Sequence, residues 1–227
     1  MKLDVLHEDN HLLAVNKPVG IATMGAAPGR ETVLDDAKRY LRERYNKPGA
    51  VYLGVVSRLD APVSGVLLFA RTSKAAQRLT DSFRQRRVKK HYLAAVAGNP
   101  SPRQQTLKHH LRKDERQRKM HTTHAAADGA RAAELSFTVL QQGDDHAIVR
   151  VDLATGRKHQ IRVQMAKIGH PILGDQKYGS NKPFPAGIGL HAERLSFEHP
   201  VRREPVELIA PLPRSWRGFA GGRDRLA

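Results

Sequence analysis

The 227-residue chain contains no cysteine, which excludes disulfides, thiolate metal sites and cysteine nucleophiles and suits a reducing compartment. No apolar run reaches the roughly 18 residues that a membrane span requires. The first residues, Met1-Lys2-Leu3-Asp4-Val5, carry an acidic group early and no apolar segment of the kind that directs secretion, so a cytoplasmic protein is expected. Acidic residues are scarce beside basic ones: 22 Asp and Glu against 39 Lys and Arg give a formal net charge of +17. That excess favours a polyanionic partner, because each phosphate neutralised releases condensed counterions, and nucleic acid is the first candidate. A surface that is basic throughout, with no dedicated partner, is the plainer alternative.

What is present points to one folded unit. Hydrophobic residues make up 40% of the chain and are spread along it, with neither a repeat nor an obvious linker, so a single domain over residues 1–227 is expected. The positive charge concentrates in Arg84–Lys90 (RQRRVKK) and Lys108–Lys119 (KHHLRKDERQRK), which read as basic patches on a folded chain, not as a tail.

Leu12-Leu13-Ala14-Val15 reads as a strand that ends in the turn Asn16-Lys17-Pro18-Val19-Gly20. Thr32 with Asp35 predicts a capped helix start, and Val33, Leu34, Ala37, Tyr40 and Leu41 continue it at helical spacing until Pro48-Gly49. Strands are predicted at Val51–Val56 and Val66–Ala70 around an Arg58–Gly65 loop, followed by a helix capped by Thr72. Val88–Ala97 predicts a further strand, with Tyr92 on the face of Val88, Ala94 and Val96. The polar, histidine-rich stretch from Asn99 to Gly129 predicts a hairpin or a long surface loop. Strands at Ala132–Leu140 and His146–Leu153 precede a helix around His159–Ile168, and strands near Leu190–Phe197 and Val206–Ile209 complete the count. Strands and helices mix without regular alternation, which predicts an α+β fold with a mixed, mostly antiparallel sheet and flanking helices.

Asp60 sits in a loop with Arg58, Pro62, Ser64 and Gly65. A neighbouring arginine keeps a carboxylate ionised, and an ionised carboxylate can serve as nucleophile or general base. On its own, the Arg58-Leu59-Asp60 tripeptide is better read as a loop salt bridge or a helix-cap aspartate.

Several separated segments, in order, resemble the RluA-type pseudouridine synthases, which isomerise uridine to pseudouridine in structured RNA. Asn16-Lys17-Pro18-Val19-Gly20 is similar to the family's first motif. Ser57-Arg58-Leu59-Asp60 with Ser64-Gly65-Val66-Leu67-Leu68 is similar to the second, and Lys90-His91-Tyr92-Leu93-Ala94 to the strand with the active-site tyrosine. Thr155-Gly156-Arg157-Lys158-His159-Gln160-Ile161-Arg162-Val163 resembles the third, with Gly169-His170-Pro171-Ile172-Leu173-Gly174-Asp175 and Tyr178-Gly179 as its continuation. Leu190-His191-Ala192 and His199-Pro200 fit the closing strand. Three positions depart from the pattern: Ser57 and Gln164 stand where histidine is usual, and Val63 replaces a hydroxyl residue. These departures bear on RNA contacts and on the shape of the Asp60 loop.

The resemblance implies a pseudouridine synthase-like catalytic domain, without the small N-terminal RNA-binding domain that several members carry. It implies Asp60 as the essential carboxylate, Tyr92 as the ring on which uracil stacks, and Arg162 as the partner that orients Asp60. It also places Ile161 beside the base, and Arg58, Arg157 and His159 as substrate-binding groups. No cofactor or metal enters this chemistry; the partner is structured RNA, rRNA or tRNA, with no membrane, and a monomer is expected. The plainer readings make Tyr92 and Ile161 core residues, Arg162 a solvated helix charge, and Lys17 a solvated turn residue. The histidines His109, His110, His121 and His124 lack accompanying acidic or thiolate ligands and read as part of an RNA-facing surface. Two rivals from other classes are a non-catalytic RNA-binding protein and a hydrolytic glycosidase, the latter distinguished by release of free base.

Overall fold

The computed structural model describes residues 2–219. In chain order, β1 (Val5–Glu8), β2 (Leu12–Lys17), α1 (Val33–Arg44), β3 (Gly54–Val55), β4 (Ser64–Ala70) and α2 (Ser73–Arg84) come first. Then follow β5 (Lys89–Ala97), β6 (Gln104–Asp114), β7 (Lys119–Thr123), β8 (Arg131–Gln142), β9 (His146–Leu153) and α3 (Gln160–Lys167). β10 (Leu190–Glu198) and β11 (Pro205–Ile209) come last. The fold is α+β, and every strand pair with a described register is antiparallel. The chain forms two compact units: residues 1–88 with 192–212, and residues 89–191 with the segment from Pro213.

In the first unit β2 and β4 pair along their length, from Leu12 opposite Ala70 to Lys17 opposite Gly65. Both are apolar on both faces because both faces are covered. Leu12, Ala14, Val66 and Leu68 pack with Ala75 and Leu79 of α2. Leu13, Val15, Leu67 and Phe69 point the other way, against Val33, Ala37 and Leu41 of α1. The predicted caps form: Thr32 and Asp35 make a reciprocal capping box for α1, and the Thr72 side chain accepts from the Ala75 amide to start α2.

Two local readings change. The strand predicted at Val51–Val56 is paired only at Gly54–Val55, because Val51 and Leu53 are buried in the α1 cluster without joining the ladder. An apolar run reports burial, not pairing. β1, which has no such run, forms by pairing its half-buried residues with β2.

Gly65 is the tightest point of this unit. Its φ is +114°, and an added Cβ would lie 2.2 Å from the Ala192 carbonyl oxygen and 2.6 Å from the Ala192 nitrogen. Both conditions demand glycine. Gly65→Ala is expected to lose about 4 kcal/mol or more, in the range reserved for severe core defects. Chemical denaturation followed by circular dichroism checks this, and a variant with the parental midpoint contradicts it.

The second unit is a five-stranded antiparallel sheet in the order β5-β9-β8-β6-β7, so β7 is an edge. The stretch from Asn99 to Gly129 resolves into the β6–β7 hairpin. Register assigns its faces: Tyr92, Val151, Phe137 and Gln105 lie across from one another and share a side with Leu135 and Leu107. α3 packs on that side, where Val163 joins Leu111, Met120, Ala133 and Tyr178 in one cluster. His91, Asp152, Ser136 and Thr106 belong to the opposite face, with Lys108, His110 and Arg112.

Candidate active site

Asp60 lies between β3 and β4, in a loop pinned by backbone bonds. The Gly20 amide donates to the Ala61 carbonyl at 2.8 Å, and the Val63 amide donates to the Asp60 carbonyl at 3.0 Å. The Thr23 hydroxyl and the Leu59 backbone bond reciprocally, with Oγ1 donating to the carbonyl at 2.9 Å and accepting from the amide at 3.1 Å. The first motif and the Asp60 loop are therefore one built piece. Arg58 is exposed, and Ser57 and Asp60 are half-buried.

Lys17 holds that piece together, and the reading that left it solvated is corrected here. Its side chain is fully buried. Its Nζ donates to the carbonyls of Pro18 at 2.7 Å, Ile21 at 2.8 Å and Ala61 at 3.2 Å. Three ammonium protons meet three carbonyls. Burial pushes the Lys17 ammonium down to about 8, while the Asp60 carboxylate pulls it back up.

In the second unit Tyr92 is half-buried on the α3 side of β5. Two positions before it, Lys90 has its ammonium pushed down by burial and contacts the Thr155 carbonyl at a long 3.5 Å. The turn into α3 is built by side chains. The Gln160 Oε1 accepts from the Arg157 amide at 2.9 Å and from the Thr155 hydroxyl at 2.7 Å, and its Nε2 donates to the Glu134 carbonyl at 3.0 Å. His159 takes a left-handed conformation at φ 53° where α3 begins. A non-glycine residue there carries local strain, a feature that concentrates at functional sites.

Arg162 is buried and its guanidinium is gripped edge-on by Asp175, with Nε donating to Oδ2 at 2.6 Å and Nη2 to Oδ1 at 2.8 Å. The plainer reading of Arg162 as a solvated helix charge is therefore wrong, and Gln164, two residues on, is an interior residue as well. The latter is buried, with Nε2 donating to the Leu107 carbonyl at 3.1 Å and meeting His109 Nδ1 at 3.0 Å. The Arg162 guanidinium carbon lies 5.0 Å from the Tyr178 ring centroid. Tyr178 Oη accepts from the Met120 amide at 3.0 Å and shares a hydrogen bond with His159 Nδ1 at 2.7 Å. Ile161 is buried beside Arg162. Arg157 is exposed and anchored through Nε to the Ala132 carbonyl.

The structure thus groups Arg162, Ile161 and His159 around α3 with Tyr178, and groups Asp60 and Arg58 in the first unit's loop. The sequence reading gave no role to Lys17, Asp175 or Tyr178, although each stands inside a quoted motif. Removing the Asp175 charge with Asp175→Asn takes from the buried guanidinium the carboxylate that grips its Nε and Nη2 edge. We expect a loss of about 3–5 kcal/mol in a denaturant titration, and recovery of most of it in the double variant Arg162→Met/Asp175→Leu, where the pair becomes apolar. Equal stability of Asp175→Asn and the parent would show that the pair contributes little. Among the described residues no group of three or more His, Asp or Glu side chains is arranged to hold a metal ion.

The family model for RNA pseudouridylate synthase matches residues 11–167, which take in the Lys17 turn, the Asp60 loop, Tyr92 and α3. The chain belongs to that family. An RNA pseudouridine synthase of Bacillus subtilis is 36% identical over 216 residues, covering 94% of this chain and 70% of the relative. Ribosomal large subunit pseudouridine synthase D of Xylella fastidiosa is 34% identical, covering 93% and 66%, and synthase C of Vibrio cholerae is 33% identical, covering 92% and 65%. The chain therefore spans about two thirds of the length of these relatives. These named relatives place it with the RluA-type pseudouridine synthases, an isomerase family. Its fold is that of human RNA pseudouridylate synthase domain containing 4, at TM-score 0.79 and 24% identity, covering 94% of this chain and 92% of that one. Domain containing 1 superposes at TM-score 0.73 with 28% identity, covering 93% and 84%.

Proposed function

We propose that this RluA-type family member isomerises a specific uridine in structured RNA to pseudouridine, with Asp60 as its essential carboxylate. The seating of Asp60 carries the reading: the loop is locked by Gly20, Thr23 and Lys17, which makes its carboxylate a fixed group next to a buried cation. The reaction breaks the C–N glycosidic bond, turns the uracil over and rejoins it through C5, whose proton is then released. An ionised carboxylate suits either attack on the anomeric carbon or removal of a sugar proton. The roles that the family resemblance implies for the second unit complete the reading: Tyr92 as the ring for the detached uracil, Arg162 as the orienting cation and Ile161 as the residue beside the base. Arg58, exposed, is available to the phosphate backbone, with Arg157 and His159 as further RNA contacts. The relatives named for the ribosomal large subunit make rRNA the first substrate to try, with tRNA second.

The test is tritium release from C5-labelled uridine in pseudouridine-free rRNA and tRNA, with nucleoside analysis of the product. Release with pseudouridine formed supports isomerisation. Free uracil points to a glycosidase, and binding without either product points to a non-catalytic RNA-binding protein.

A further inference from the structure

The second unit carries two sets of cations, and they differ in surroundings. On the sheet face opposite Tyr92, positive groups meet carboxylates: Lys108 lies 3.8 Å from Glu134, Arg150 is 3.7 Å from Asp152, and His91 also pairs with Asp152. His121 is 3.8 Å from Asp114 on the same face. On that face Lys108 and Arg150 are thus each within 4 Å of a carboxylate, while Arg112 has no carboxylate partner among the described residues.

The α3 side is different. At the β7 edge, Lys119 belongs by pleat to the opposite face, yet its Nζ reaches back to 5.1 Å from the Tyr178 ring centroid. Lys177 ties its Nζ to the Arg118 carbonyl at 2.8 Å, which holds the tight turn between β6 and β7 against the Tyr178 segment. Arg118 itself is exposed, at a left-handed φ of 48°. Lys158 is exposed directly before His159. None of Arg118, Lys119, Lys158 and Lys177 has a carboxylate partner among the described residues; the Lys177 ammonium meets a backbone carbonyl and the Lys119 ammonium a ring.

We propose that these four residues form a cationic rim that docks the RNA phosphate backbone on the Tyr92 and α3 side of the unit, and that the opposite face, despite Lys108 and Arg112, does not carry the RNA. The inference rests on the reading of the chain as an RNA uridine isomerase. Cations without a carboxylate partner gain most from phosphate, since no intramolecular ion pair has to be broken, and a rim on the same side as Tyr92 leaves a strand docked there free to offer its flipped base to that ring.

Two triple variants remove equal charge from the two places. Arg118→Gln/Lys119→Gln/Lys177→Gln removes three of the four rim charges, and Lys108→Gln/Arg112→Gln/Arg150→Gln removes three from the opposite face. Filter binding uses an unmodified large-subunit rRNA transcript across a salt series, with thermal midpoints checking that both variants fold. The rim triple is expected to bind roughly tenfold or more weakly at near-physiological salt, and to flatten the salt slope by roughly two to three, at about 0.7–0.9 for each phosphate that is no longer neutralised. The face triple is expected to stay within roughly twofold of the parent. Equal losses, or a larger loss from the face triple, overturn the rim. Should the rim triple fail to fold, Arg118→Gln/Lys158→Gln, which leaves the Lys177 bond intact, replaces it with a proportionate loss expected. Tritium release by the parent protein separates the two readings: its absence overturns the isomerase assignment, whereas release with equal losses overturns only the rim.

Discussion

Asp60→Asn is expected to bring tritium release to background while leaving fold and RNA affinity near those of the parent. The carboxamide is isosteric, but it can neither attack a sugar carbon nor take a proton, so either route for Asp60 is blocked. The loop should keep its shape, because backbone, ammonium and hydroxyl bonds at Ala61, Val63, Leu59 and Thr23 remain in the variant to hold it. Removing the charge has a second consequence that can be read independently. The Asp60 carboxylate opposes the downward push of burial on Lys17, so the lysine in Asp60→Asn should titrate still lower than in the parent. A folded, RNA-binding Asp60→Asn protein that still forms pseudouridine would sink the assignment.

Lys17→Met is the second large effect, and it reaches the chemistry through the loop. Methionine fills a similar volume but offers no donor, so the carbonyls of Pro18, Ile21 and Ala61 lose theirs at about 1–3 kcal/mol for each one left buried and unmet. A shift of about 1 Å in the Asp60 loop can then reduce turnover by roughly 10²-fold. The same lysine gives a pH signature. Its folded-state pKa of about 8 lies below the ordinary 10.5, so the buried ammonium opposes folding below pH 8, and that penalty is relieved as pH rises from 8 towards 10.5. Activity should move the other way. Above pH 8 the neutral amine has two protons for three carbonyls, and Asp60 loses a positive neighbour. Turnover should therefore fall with a midpoint near 8 while this residue's contribution to stability improves. Coincident decline of both would assign the alkaline limb to another group.

The parts of this molecule that are legible in the sequence are those set by local rules. The capping box at Thr32 and Asp35, the Thr72 cap and the apolar runs of β2 and β4 each carry their structure in a few adjacent residues. The basic stretch reads equally as hairpin or loop because alternation there is blurred by charged residues on both faces. Asp60, Tyr92 and Arg162 stand out by motif order, and α3 by the Thr155-Gly156 punctuation. The pairings are not legible. Asp175 is thirteen residues from Arg162 and meets it only because a turn returns the chain under α3. Lys17 reads as a turn lysine until its three carbonyls are assembled by the Asp60 loop, 44 residues along for Ala61. Gln164 is a polar residue on a helix, and only the packing of α3 against β6 makes it an interior fastener.

β2 and β4 are apolar on both faces, so the usual device for fixing a strand's alignment, greasy residues on one side and wet ones on the other, is missing from their centres. Their alignment is instead written at one rung, where Lys17 stands opposite Gly65. Each of these fits a single place: the lysine where three carbonyls converge, and the glycine where the Ala192 backbone leaves no space for another atom. That rung works as a keyed joint at the mouth of an otherwise interchangeable aliphatic seam. Volume-conserving aliphatic exchanges along the seam cost little, whereas the joint has no substitute, and the reach of Asp60, four residues behind Ser64 at the same end of β4, is set by it.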